Sequence, residues 1–221
     1  PNSSTATMGA FMPEPVQLAS GYLHSAVTIL FLLLVVRDAL LLLTWPFRRS
    51  TGRQRKIFYG HKEKKPASGF WAFTLVLLAL ALSGYGMREA LRVPPVREVR
   101  MQVPGLPDAL NGFRIAQLSD LHIGPTFGKA WLTDVVARTD SLNPDLIIIT
   151  GDVVDGSPSR LEEDVAPLAD LKAKYGVIFA PGNHEYYSGI QQWLPVFQRL
   201  GMHVLMNENT QIRVNGTPLA I

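Results

Sequence analysis

Two long apolar runs dominate the first 87 residues. Tyr22–Phe47 (YLHSAVTILFLLLVVRDALLLLTWPF) is broken only by Arg37 and Asp38, and Gly69–Met87 (GFWAFTLVLLALALSGYGM) contains no charged residue. Neither run has a polar face. Each is long enough to cross a hydrocarbon core of roughly 30 Å as a helix, which takes about 20 residues. The pattern therefore predicts two transmembrane helices, at 22–47 and 69–87. The adjacency of Arg37 and Asp38 favours mutual pairing or snorkelling over an ion pathway. Ala79-Leu80-Ala81 resembles a signal-peptide cleavage site, but an upstream span argues against cleavage there.

Beyond a linker at 88–112 containing Val93-Pro94-Pro95, short apolar runs alternate with segments of helical spacing. Strands are predicted at Phe113–Leu118, Leu146–Thr150, Val177–Ala180, 204–206 and Gln211–Val214, with Asn215-Gly216 turning into a last strand at 218–221. Helices are predicted at Lys129–Ser141, Leu161–Lys174 and Ile190–Leu200. Strands that alternate with helices point to an α/β domain with a largely parallel sheet over 113–221.

Charge divides the chain in the same place. Residues 1–100 hold 13 Lys and Arg against 5 Asp and Glu, whereas residues 101–221 hold 8 against 13. The basic excess sits beside the apolar runs, and the acidic half is a poor footprint for nucleic acid, so no nucleic-acid partner is expected. The loop at 48–68 concentrates eight cations between Arg48 and Lys65 against Glu63 alone, while the N-terminal segment 1–21 has none. The positive-inside rule places that loop in the cytoplasm and everything after Met87 on the far side of a cell (inner) membrane. The chain has no cysteine, which removes disulfides, thiolate metal sites and a cysteine nucleophile.

The polar motifs fall at the carboxyl ends of three predicted strands, where open α/β sheets bind ligands. The strand at 113–118 runs into Ser119-Asp120-Leu121-His122, the strand at 146–150 into Gly151-Asp152-Val153-Val154-Asp155, and the strand at 177–180 into Gly182-Asn183-His184-Glu185. If the segment after the first strand stays extended, Asp120 and His122 point the same way and can grip one ion together. Gly151 and Gly182 free the turns that present Asp152 and Asn183. Donors of this kind suit Mn²⁺, Fe, Zn²⁺ or Mg²⁺.

In order and context, SDLH, GDVVD and GNHE resemble the calcineurin-like metallophosphoesterase superfamily. With spans just upstream, the chain is similar to its membrane-anchored bacterial members. The resemblance covers about residues 113–221 and implies a metallophosphoesterase-type α/β sandwich. It further implies two divalent metal ions, with Asp120 and His122 on the first, Asp152 bridging both and Asn183 on the second. His184 would protonate the leaving group of a phosphate-ester substrate, and Asp155 and Glu185 would support these residues from behind. Two later blocks of the family pattern, which carry three further histidine ligands, do not occur here. His24, His61 and His203 stand outside the motifs, so the resemblance implies an N-terminal part that is inactive alone. The expected function is hydrolysis of phosphomonoesters or phosphodiesters, lipid-linked ones included, at a bilayer. A catalytically inactive membrane scaffold on the same fold is the alternative, and a nuclease is disfavoured by the acidic charge.

Overall fold

The computed structural model describes residues 14–55 and 68–221, with side chains from 15–44 and 69–221. Part of the N-terminal segment (1–13) and most of the basic loop with His61 (56–67) lie outside the described residues. The chain forms two compact units, 1–90 and 91–221.

The first unit is a pair of helices, α1 (Glu14–Arg55) and α2 (Ser68–Ala90). Within them Pro15–Thr44 and Gly69–Ala90 are long and apolar enough to cross a membrane. They are not core helices, because side chains such as Leu42 (72% exposed) and Trp71 (66%) cover nothing. Helix α1 extends beyond the predicted run at both ends, since helical geometry tolerates the polar residues that flank an apolar stretch. Small residues let the two backbones approach: Ala26, Ala79 and Ser83 are buried at the contact. Ser25 Oγ lies 2.8 Å from Ser83 Oγ, and Tyr22 donates its hydroxyl to the Leu80 carbonyl at 3.0 Å. Arg37 and Asp38 form an ion pair of 2.7 Å with each other, as their adjacency suggests.

The second unit is built on four parallel strands, β1 (Ile115–Leu118), β2 (Leu146–Ile149), β3 (Val177–Phe179) and β4 (Met202–Val204), in the order β1-β2-β3-β4. Helices α3 (Lys129–Asp140), α4 (Pro158–Val165) and α6 (Ile190–Arg199) lie on the crossovers between them. Crossovers that always step the same way, with one hand, put their helices on one face of the sheet. That face carries the larger core, where Leu132, Val136, Leu161, Trp193 and Phe197 pack on Ile147, Ile149 and Phe179. The other face is met by a hairpin, β5 (Gln211–Val214) and β6 (Thr217–Ala220), through Ile212 against Leu146, Ile178 and Leu205.

Three elements differ from the expectation. The helix expected to run to Lys174 ends at Val165 and continues as a 3₁₀ turn, Ala166–Asp170. Pro167 lacks the backbone donor that a continued α-helix would use there, and the chain tightens into the 3₁₀ turn at that point. The fourth strand is displaced two residues toward the N-terminus, to Met202–Val204. Its register with β3 buries Met202 in the core and leaves His203 exposed. Asn183–Tyr187 (α5), expected as loop, is a short helix started by Gly182.

Candidate metal centre

The segments that follow β1 and β2 are tied together before any side chain is considered. The segment after β1 donates to the segment after β2 through Asp120 N to Gly151 O (3.2 Å), His122 N to Asp152 O (3.0 Å) and Ile123 N to Val153 O (2.8 Å), and Asp155 N returns to Ile123 O at 2.9 Å. The strand pairing thus continues past the sheet into the motifs and sets their relative height.

Within this frame the backbone takes left-handed turns at Asp120 (φ 55°), His122 (φ 45°) and Asp152 (φ 54°). Asp and His tolerate this region better than most residues, yet each such turn costs on the order of 1–2 kcal/mol. The expected extended geometry of Asp120-x-His122 is therefore replaced by two turns. They still bring the pair together, with His122 Nε2 3.9 Å from Asp120 Oδ1. Ser119 Oγ donates to the other Asp120 oxygen at 2.5 Å.

The two glycines act differently from each other. Gly151 has φ +82°, and a Cβ on it would collide with the backbone of Gly182. Gly182 itself is extended (φ −94°), so no special φ is needed there. A Cβ on Gly182 would collide with the Asp152 carboxylate and its backbone nitrogen. Close approach of two loops, rather than freedom to turn, is what Gly182 supplies.

Glu185 holds that approach. Its carboxylate is fully buried and accepts from four backbone N–H groups: Asp152 (2.9 Å) and Gly182 (2.7 Å) on Oε2, Val153 (2.6 Å) and Val154 (3.3 Å) on Oε1. Four donors from two loops satisfy a charge that burial would otherwise make very costly. The bond to Gly182 also reaches back from the third residue of α5 to its N-cap, half of a capping box.

At the mouth, Asp155 stands between two imidazoles. Its Oδ1 lies 3.0 Å from His122 Nδ1 and 2.6 Å from His184 Nδ1, so one carboxylate oxygen accepts from both rings and leaves Nε2 of each on the opposite side. The rings meet edge to face with centroids 4.4 Å apart. His184 N donates to Asp152 Oδ1 at 2.9 Å, which aligns the second carboxylate. The hydrogen bond that His122 gives to the Asp155 carboxylate raises the His122 pKa above 6.5; burial opposes this, and the charges of Asp155, Asp152 and Asp120 add to it. Trp193 Nε1 donates to the Gly156 carbonyl at 2.8 Å, fastening the end of this loop to the core aromatic cluster.

Donor atoms of His122, Asp152 and His184 all lie within 4.8 Å of one another, so His122 and Asp152 can share a divalent cation with the His184 imidazole beside it. Imidazole nitrogen and carboxylate oxygen are the donor set of Zn²⁺, Mn²⁺ or Fe rather than of a soft metal. Asp120 is adjacent through His122, and Asn183 is exposed at the first position of α5. His203 is exposed within β4 and His24 lies on α1, so neither belongs to the constellation. Tyr187, three residues beyond His184, was not singled out in the sequence, where only its place after GNHE marks it.

Comparison with known proteins agrees with this geometry. Residues 113–220 match the calcineurin-like phosphoesterase family. The chain is 37% identical over 153 residues to a transmembrane protein with metallophosphoesterase domain from Danio rerio, covering 68% of this chain and 35% of that protein. It is 37% identical over 142 residues to the protein of the same name from Bos taurus, covering 64% and 32%. To an uncharacterised metallophosphoesterase of Campylobacter jejuni it is 31% identical over 140 residues, covering 63% and 37%. The chain spans about a third of the length of these relatives. No solved structure matches. Behind two helices able to cross a membrane, the chain carries at residues 113–220 a domain of the calcineurin-like phosphoesterase family.

Proposed function

We propose that the protein is a membrane-anchored, metal-dependent phosphoesterase that hydrolyses phosphomonoesters or phosphodiesters on the side of the membrane away from the cytoplasm. The observation that supports this most is the convergence of His122, Asp152 and His184 at the ends of three adjacent parallel strands. Asp120, His122, Asp152 and Asn183 would hold two divalent ions, with Asp152 shared between them. Such ions activate water and neutralise charge building on the phosphate.

The remaining chemistry belongs to the chain. With Nδ1 held by Asp155, His122 is fixed in the tautomer whose Nε2 lone pair is free for a metal. His184, held by the same oxygen, has its Nε2 free to pass a proton to the departing alkoxide, a role worth about 10²–10⁴-fold. Asp155 therefore positions two rings with different tasks, and Glu185 keeps Asp152 and His184 at a fixed separation. The cation-rich loop at 48–68 supports a cytoplasmic loop between two spans and a multi-pass protein of the inner membrane. Phosphate esters at the outer bilayer surface, lipid-linked ones included, are then within reach.

The test is turnover of p-nitrophenyl phosphate and bis-p-nitrophenyl phosphate by the purified full-length protein, stripped with chelator and reloaded with Mn²⁺. Metal-dependent hydrolysis of at least one ester is expected. His184→Ala should lower kcat with bound metal retained, and lower it less for esters with good leaving groups. Metal-loaded, folded protein that cleaves neither ester would overturn the reading in favour of the scaffold.

A further inference from the structure

Helix α5 ends in two adjacent tyrosines that stand out of the fold, Tyr186 at 56% and Tyr187 at 79% exposed. A tyrosine ring stabilises a fold by being buried, so one this open contributes little to folding. Tyr187 is nonetheless placed. It lies three residues after His184, the spacing that stacks side chains on one helix face. Its ring centroid is 5.7 Å from the imidazole, at an interplanar angle of 66°. The same imidazole meets His122 at 4.4 Å. The His184 imidazole thus touches both a ring of the candidate metal cluster and an exposed aromatic ring.

That order has a consequence for the substrate. The phosphate must sit against His122 and Asp152, and the group protonated by His184 must leave past it. The exposed Tyr187 ring lies beside the His184 imidazole, within reach of a group leaving from it. We propose that Tyr187 is a specificity-determining residue that receives the leaving group of the ester and favours one carrying an aromatic ring over a small aliphatic one. An exposed ring offers edge-to-face or offset contact to another ring, worth about three- to tenfold in affinity. It offers a two-carbon chain almost nothing. The inference rests on the role given to His184 above. The competing role for Tyr187 is that of a prop for the His184 imidazole.

Binding and turnover separate these. Full-length protein loaded with Mn²⁺ is titrated calorimetrically with 2-phenylethylphosphonate and with ethylphosphonate, which share a charged head and a carbon–phosphorus bond that hydrolysis does not cleave. The wild type should bind the phenylethyl compound about three- to tenfold more tightly. Tyr187→Ala should bring the two affinities together, and Tyr187→Phe should restore the preference. A prop would act otherwise: Tyr187→Ala would slow hydrolysis of phenylethyl phosphate and ethyl phosphate by the same factor while the affinity ratio stayed as in the wild type, and that result overturns the proposal. Hydrolysis by a wild type with no preference for the ring overturns it alone. Ring preference without hydrolysis of either phosphate overturns the hydrolytic reading and the leaving-group role with it.

Discussion

Replacing Glu185 by Gln tests how the two loops that carry Asp152 and His184 are held. The side chain keeps its shape, but one of its oxygens becomes an NH₂ group. Each oxygen now accepts from two backbone N–H groups, Asp152 and Gly182 on one, Val153 and Val154 on the other. Whichever way the amide turns, two donors face a donor and the two remaining bonds lose their charge. Hydrogen bonds to a charged group contribute about 1.5–3 kcal/mol each, and the site is fully buried, so the loss is about 3–5 kcal/mol. That is a large part of the 5–15 kcal/mol typical of a domain. The assay is urea unfolding of the detergent-solubilised full-length protein, followed by tryptophan fluorescence and reporting on buried Trp193. A shift below about 1 kcal/mol would refute the reasoning and mean that the loops are held by their own backbone pairing.

Further measurements test the close approach of the two loops, the surroundings of His122 and the topology. Gly182→Ala puts a Cβ into the Asp152 carboxylate and should weaken Mn²⁺ binding at least about tenfold in a metal titration, with unchanged affinity counting against the close-approach reading. The His122 pKa is raised, so protons compete with metal at a higher pH than they would for a free histidine: affinity should be full above the raised value and fall about tenfold per pH unit below it. The same shift, in the metal-free protein, adds stability that is fully present below pH 6.5 and is lost as pH rises through the raised pKa; Asp155→Asn should move both profiles toward lower pH. Alkaline phosphatase fused after Arg100 should be active and after Arg55 inactive, and the reverse pattern would put the domain in the cytoplasm.

Most of the architecture was legible because burial writes itself into local pattern. Leu146–Ile149 reads as a central strand because both of its faces are covered, and α3 reads as a helix because Leu132, Val135 and Val136 share one buried face. The failures are of two kinds. The helix expected to reach Lys174 gives way to a 3₁₀ turn at Pro167, whereas α6 carries Pro195 inside it, so a proline alone does not tell the two cases apart. Met202 was left out of β4 because one buried side chain beside Gly201 carries no periodicity.

The site was legible in composition but not in conformation. Asp120, His122, Asp152, Asp155, Asn183 and His184 can be picked out from their positions after apolar runs. The left-handed turns at Asp120, His122 and Asp152 could not, since the pairing that imposes them comes from residues about 30 positions away. Glu185 is the sharpest case. The resemblance places it behind the candidate ligands, but only the fold shows that it is buried with four backbone donors closing on it.

If these loops form a metal centre on the Asp152 carboxylate, the metal content of the protein must depend on that side chain. Full-length protein is stripped, reloaded with Mn²⁺, dialysed and analysed by mass spectrometry of the metal, wild type beside Asp152→Asn. The account predicts about two ions per wild-type chain and loss of both in the variant, since an amide cannot supply the charge or the second oxygen that a shared ligand needs. Equal metal content in the two proteins would contradict it.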